Sequence, residues 1–233
     1  MSVKSVPRGR AVVAMAICLI GLSACTSGSG GDDKPGIGDL GSGPTAGAVS
    51  KDGLAKAAIG AKDVPGHVVV AAGAAAVTGK EVTVGEDGKD CLPVAHALAG
   101  VPVGETRSIT PGQRITGGGV TTTVTLGLYE GQGGQTAMET LSAALDKCAG
   151  GFGASVRGLE QKASKVARDL APQGAEQAMA FTADVEAAGK TVPVKVVVFR
   201  KGTTVGWLSA TGAPGKKLTF PAKVFEAQLV KLA

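Results

Sequence analysis

AMAFTADVEAAGKTVPVKVVVFRKGTTVGWLSA, residues 178–210, contains three apolar runs separated by EAAGKT and RKGT. In the first run Met179, Phe181, Ala183 and Val185 recur at every second position, the period of a strand with one face against a core. The runs at 192–199 and 204–210 are rich in β-branched residues and hold Phe199 and Trp207, side chains that suit a pleated, half-buried surface. Both connections are short and contain glycine, as hairpin loops do. The stretch predicts an antiparallel meander of three strands.

Upstream, Val120, Thr122, Val124, Leu126 and Leu128 alternate with Thr121, Thr123 and Thr125, which predicts another strand, and 152–159 reads as one more. HVVVA at 67–71 comes after a KDVPG turn and has the same character. Gly117-Gly118-Gly119 marks a turn or bulge before the 120–128 strand.

Helical signals are fewer and lie elsewhere. GLAKAAIG at 53–60 reads as a short helix, and Pro93 suits the first turn of another after Cys91. Thr136 and Glu139 have the spacing of a capping box, opening a helix that places Met138, Leu141, Leu145 and Cys148 on one face. Pro221 opens a last helix with Phe225, Leu229 and Leu232 as its packing stripe. Strands and helices are partly segregated and no βαβ rhythm is present. The expected class is α+β: an antiparallel β-sheet with helices packed mainly on one face.

The N-terminal part has a different character. MSVKSVPRGR carries Lys4, Arg8 and Arg10 without an acid, and an apolar run from Ala11 to Ala24 comes next. That run is about 14 residues, short of the roughly 20 that span a bilayer as a helix, so 1–24 reads as a secretory signal. Leu22-Ser23-Ala24-Cys25 resembles the lipobox of bacterial lipoproteins. The resemblance implies that Cys25 takes a diacylglycerol, with palmitate-type acyl chains, and becomes the first residue of the mature protein. Two or more chains anchor stably where one is marginal. Cys18 would leave with the signal.

Residues 25–50 are rich in Gly, Ser, Pro and Asp, too polar to bury a core, and form a flexible tether. About 25 such residues span about 25 to 30 Å. The remainder, 51–233, has the length of a single extracytoplasmic domain. The expected location is the extracytoplasmic face of the cell membrane.

Processing before Cys25 would remove three of the 24 basic residues and none of the 19 acidic ones, so the formal charge falls from +5 to +2. With 3% aromatics the chain lacks both the basic footprint and the stacking platform of a nucleic-acid binder. That class is excluded.

Cys91 and Cys148 remain after processing, and in an oxidising compartment such a pair is most simply a disulfide. The alternative, a metal site, would need partners that His67 and His96 hardly supply, so no metal is expected. Closing a loop of this length stabilises a fold by up to about 4 kcal/mol in the chain-entropy view.

No motif compels catalysis. Gly131-Gln132-Gly133-Gly134-Gln135-Thr136 lies between a strand and a helix, where a phosphate-cradling loop would lie, but it lacks the lysine and hydroxyl of a P-loop and the last glycine of a dinucleotide loop. It reads as a turn feeding a helix. His67 and His96, the two histidines, stand in apolar or turn contexts without a G-x-S-x-G or S-x-x-K partner. Ser164-Lys165 has no supporting context, and Glu86-Asp87 reads as a solvated pair in a glycine-rich turn. No catalytic residue and no cofactor is expected.

Several short features fall in a familiar order: LAKAAIGAKDVPGH at 54–67, Cys91-Leu92-Pro93, Leu145-Asp146-Lys147-Cys148, Pro172-Gln173-Gly174-Ala175-Glu176, and Lys201-Gly202 before Trp207. Over 54–233 this order resembles the extracellular sensor domain of PknH-like kinases, a domain also found in actinobacterial lipoproteins. The resemblance implies a sensor-like domain that stands here without the kinase. Kinase members carry two disulfides, whereas this chain can form one. The matched residues are structural, so no ligand-binding residue is carried over.

The leading expectation is a lipid-anchored extracytoplasmic binding or sensor-like domain, not an enzyme, holding a small molecule, a cell-wall fragment or a protein partner. An alternative is a carrier of an apolar or lipid ligand, which would need a roomy aliphatic cavity. A secreted hydrolase is a third reading, and it would need a nucleophile and base brought together by the fold.

Overall fold

The computed structural model describes residues 50–73 and 76–233. The signal at 1–24 with Cys18, the expected lipidation at Cys25 and the tether as far as residue 49 lie outside the described residues.

The first helix, α1 (Lys51–Ala57), starts where Ser50 Oγ accepts the Gly53 N–H at 3.0 Å. Strands β1 (Val68–Ala71) and β2 (Val82–Val84) come next, then α2 (Leu92–Leu98), β3 (Ser108–Ile109), β4 (Gln113–Gly117) and β5 (Val120–Leu128). Helix α3 (Gly133–Lys147) leads to β6 (Phe152–Val156) and β7 (Leu159–Asp169). The meander is β8 (Gln177–Ala187), β9 (Lys190–Lys201) and β10 (Thr204–Thr211), and α4 (Ala222–Lys231) closes the order.

Among the described residues the strands make one sheet, ordered β1-β4-β5-β10-β9-β8-β7-β6-β2, with β3 paired to the end of β5. All its pairs are antiparallel. The class is therefore α+β, as the period-two runs predicted. The β8–β9 hairpin closes through Ala188-Gly189, both left-handed with φ of 49° and 72°, between the paired residues Ala187 and Lys190. Two left-handed residues in a two-residue loop match the twist of the flanking strands.

Alternation divides the core. Phe181, Ala183, Val196, Val198, Val205 and Trp207 face one side and pack under α2 and α3 through Val94, Met138, Leu141 and Leu145. On the other side Ala180, Val197, Phe199 and Leu208 meet Val224 and Phe225 of α4, while Leu126 and Leu128 meet Leu54 and Ala57 of α1. The helices thus divide two and two between the faces, where the sequence reading put them mainly on one. The cause lies in β9: Val196, Val197, Val198 and Phe199 are consecutive and all fully buried, so water must be excluded from both sides.

Three local expectations also shift. The strand expected at 152–159 ends at Val156, turns at Arg157-Gly158, and returns as the eleven-residue β7. Helix α3 begins at Gly133, so Thr136 lies inside it and the capping box does not form; Gln135 Nε2 donates to Glu139 Oε1 instead, at 2.8 Å. The corresponding pair occurs at Thr78, whose N–H and hydroxyl both donate to Glu81 Oε2. In α4 the inner face includes Gln228, fully buried, whose Nε2 donates to the Ala57 carbonyl of α1 at 2.7 Å.

Candidate ligand cleft

The expected disulfide is present. Cys91, at the start of α2, bonds Cys148, just past the end of α3, with Cα atoms 5.7 Å apart. Both residues are buried in the core of that face. The bridge ties the start of α2 to the end of α3, while the first half of α3 stands eight or more residues from Cys148, about 12 Å or more along the axis.

There the helices line a cleft of about 700 Å³. Leu92, Pro93 and His96 come from α2, Gly133, Thr136, Ala137 and Thr140 from α3, and the third wall is the segment from Val103 to Arg107 together with Glu130. Aliphatic surface from Leu92, Pro93, Val103 and Ala137 forms its interior, and three threonine hydroxyls and the charges of Glu105, Arg107 and Glu130 border it.

That third wall is not a free loop. The buried Tyr129 hydroxyl donates to the Val103 carbonyl at 2.7 Å, and the Arg107 N–H donates to the Leu128 carbonyl at 2.7 Å. Burial pushes the Tyr129 hydroxyl well above its usual pKa, so the phenol stays a neutral donor. At the rim Arg107 Nε stands 3.8 Å from Glu130 Oε1, an exposed and loose pair.

His96 is the histidine that reaches the cleft. Burial holds its imidazole below the usual value, with the backbone at Gly79 and Pro102 opposing in part. Its Nε2 is buried and has no hydrogen-bond partner among the described residues, and no hydroxyl or carboxylate among them is hydrogen bonded to the ring. His67 lies apart, its ring packed over the backbone of Gly117 on β4, in the space a side chain there would need. The other sequence candidates scatter. Gly133 and Thr136 of the glycine-rich run line the cleft, Glu86 is an exposed partner of Lys89, Lys165 pairs with Asp184 at 2.7 Å, and Ser164 Oγ donates to the Asp184 carbonyl. Among the described residues no group of three or more His, Cys, Asp or Glu side chains is placed to hold a metal ion. No helix among them is long and apolar enough to cross a membrane.

The segment from Val103 to Arg107 and Thr140 were not singled out in the sequence. VPVGETR carries no motif, and its place at the cleft comes from the Tyr129 and Leu128 hydrogen bonds, made across 26 and 21 residues of chain.

No family model matches the chain, and no curated protein matches it. Among solved structures, the extracellular domain of PknH from Mycobacterium tuberculosis superposes with a TM-score of 0.52 at 13% identity, covering 80% of this chain and 97% of that one. A Mycobacterium smegmatis protein, the Rv0999 ortholog, gives a TM-score of 0.40 at 11% identity over 80% of this chain and 96% of its own. The first likeness shows the fold: over 80% of its length this chain shares the architecture of the PknH extracellular domain.

Proposed function

We propose that this chain is a lipid-anchored, extracytoplasmic binding domain of the sensor type, and that the cleft between α2 and α3 holds a small polar or amphiphilic ligand. The single observation that carries the binding reading is the cleft itself: about 700 Å³, within the size range of small-molecule sites, with an aliphatic interior and a few polar groups converging on it. Three supports stand behind the location. They are the signal-like run at 1–24, the lipobox-like Leu22-Ser23-Ala24-Cys25, and a fold shared with a domain described as extracellular.

A carrier of lipid chains would need an enclosed aliphatic cavity. This cleft is bordered by Glu105, Arg107 and Glu130, which favours a ligand with polar ends. Binding also fits the site better than hydrolysis does, because among the described residues no hydroxyl or carboxylate is hydrogen bonded to His96 to be activated by it or to orient it.

The test is a thermal-shift screen of the purified full chain against small metabolites and cell-wall fragments, with Ala137→Trp as the cleft-filling control. A ligand at a hundred times its Kd adds about 2.7 kcal/mol, easily read as a rise in Tm. A hit whose shift disappears in Ala137→Trp supports the cleft; hits unaffected by it place binding elsewhere and overturn the assignment. The anchor is tested separately by alkyne fatty-acid labelling in cells, where Cys25→Ser must lose the label.

A further inference from the structure

We infer that the α1–α4 side of the sheet is a docking face for an anionic lipid bilayer. Residues 51–64 and 212–233 lie on that side, where Ile59, Val64, Val224 and Phe225 pack against Val197, Phe199 and Leu208. These two segments carry seven lysines against Asp52, Asp63 and Glu226, a net charge of +4. The remainder of residues 50–233 carries 13 basic and 13 acidic residues. All the excess charge of the folded part therefore belongs to one layer.

The lysines are available. Lys51, Lys56, Lys62, Lys216, Lys217 and Lys223 are exposed and make no ion pair among the described residues. Only Lys231 is engaged, by Asp63 at 3.3 Å. On the outer surface of α4, Lys223 and Val230 are seven residues apart and share a face, and Val230 is 74% exposed. Basic heads beside an exposed aliphatic side chain suit the interfacial zone of a membrane.

The occupant is argued from charge and from where the chain enters. Residue 50 leads directly into α1, so the expected lipid on Cys25 would attach to this same side through about 25 residues of tether. A tether of the flexibility expected from the composition of 25–50 would leave the body free to turn, and electrostatics would then choose the face. Each lysine brought to an anionic leaflet strengthens contact by roughly fivefold. The α2–α3 cleft, on the opposite face of the sheet, is then directed away from the lipid. This inference rests on the extracytoplasmic, membrane-anchored reading above.

Lysine acetylation read by mass spectrometry tests it. The full lipidated chain is placed on vesicles of phosphatidylcholine alone or with about one third phosphatidylglycerol, at low salt. Lys56, Lys62, Lys217 and Lys223 should become several-fold less reactive on the anionic vesicles, while Lys80, Lys89 and Lys147, on the α2–α3 side, stay equal on both. High salt should erase the difference. The combined variant Lys216→Glu, Lys217→Glu and Lys223→Glu, at three exposed positions, should lose the protection of Lys56 and Lys62. Equal labelling on the two vesicles, or protection that survives the triple variant, overturns the inference. So does protection by soluble polyphosphate without protection by vesicles, which would assign the face to an anionic polymer. If the chain is not retained on neutral vesicles, the anchor reading fails on its own; co-sedimentation of the unanchored chain with anionic vesicles then decides the face. Binding lost in the triple variant supports it, and no binding sinks it.

Discussion

Phe199 of β9 stands opposite Gly206 of β10 in the strand register, and its ring occupies the space that a side chain at Gly206 would fill. The same ring meets Phe225 of α4 edge to face, with centroids 5.3 Å apart and planes at 85°. One glycine thus lets an aromatic ring lie down on the sheet and receive a helix.

Gly206→Ala should force Phe199 off this position and loosen α4. Overpacking of a close-packed core costs about 1–3 kcal/mol, and urea unfolding should show a lower midpoint of that size. A change below about 0.5 kcal/mol, the range of an ordinary surface substitution, would show that the ring can move without loss.

The Cys91–Cys148 bridge, with 57 residues of sequence separation, constrains the unfolded chain as well as the two helices. Replacing both cysteines by alanine should lower stability by up to about 4 kcal/mol in the chain-entropy view, measured as the loss of unfolding free energy relative to the oxidised parent. An unchanged midpoint would mean that the apolar seam between α2 and α3 holds them unaided.

Tyr129→Phe removes the buried donor to the Val103 carbonyl and nothing else of size. The carbonyl is left without that partner, at a cost of about 1–3 kcal/mol. Because that bond fixes one wall of the cleft, amide exchange should speed up from residue 103 to 107 more than in β9. Uniform exchange across the domain would refute the role given to Tyr129.

His96 gives stability a pH dependence of definite sign. Burial, its main cause, lowers the folded-state value below the ordinary 6.5, so on acidification the unfolded chain takes the proton first. Stability should therefore fall as pH drops below about 6.5, until the folded state also protonates. Asp63 and Asp169 shift downwards from 3.8, the first chiefly through the Gly60 N–H and the second chiefly through Lys195. Their contributions are present above that value and are lost only as pH falls below it. His96→Gln should flatten the upper window and leave the lower one; equal slopes in parent and variant above pH 4.5 or so would contradict the effect of burial on the imidazole.

Much of the architecture was legible in the chain itself. Period-two alternation at 120–128 and 178–210 is a local consequence of the pleat, and it identified β5, β8, β9 and β10. With Cys18 expected to leave with a signal and Cys25 to carry a lipid, the cysteine count leaves one pairing, and that pairing is present. Strand β7 was missed because only Ala163 and Val166 of its eleven residues are buried, too weak a pattern to read. The early start of α3 was missed because Gly133 and Gly134 are poor helix formers, held in the helix by packing of Gly134 against Val205 and Tyr129.

The chain by itself determined which residues make strands, that the sheet is antiparallel, and which thiols can meet, because period, turn chemistry and composition are properties of neighbouring residues. Only the tertiary structure decided that helices cover both faces and that Leu92–His96, Val103–Arg107 and Gly133–Thr140 enclose one cleft. A cleft is the volume left between packed elements, and no local pattern of side chains encodes it.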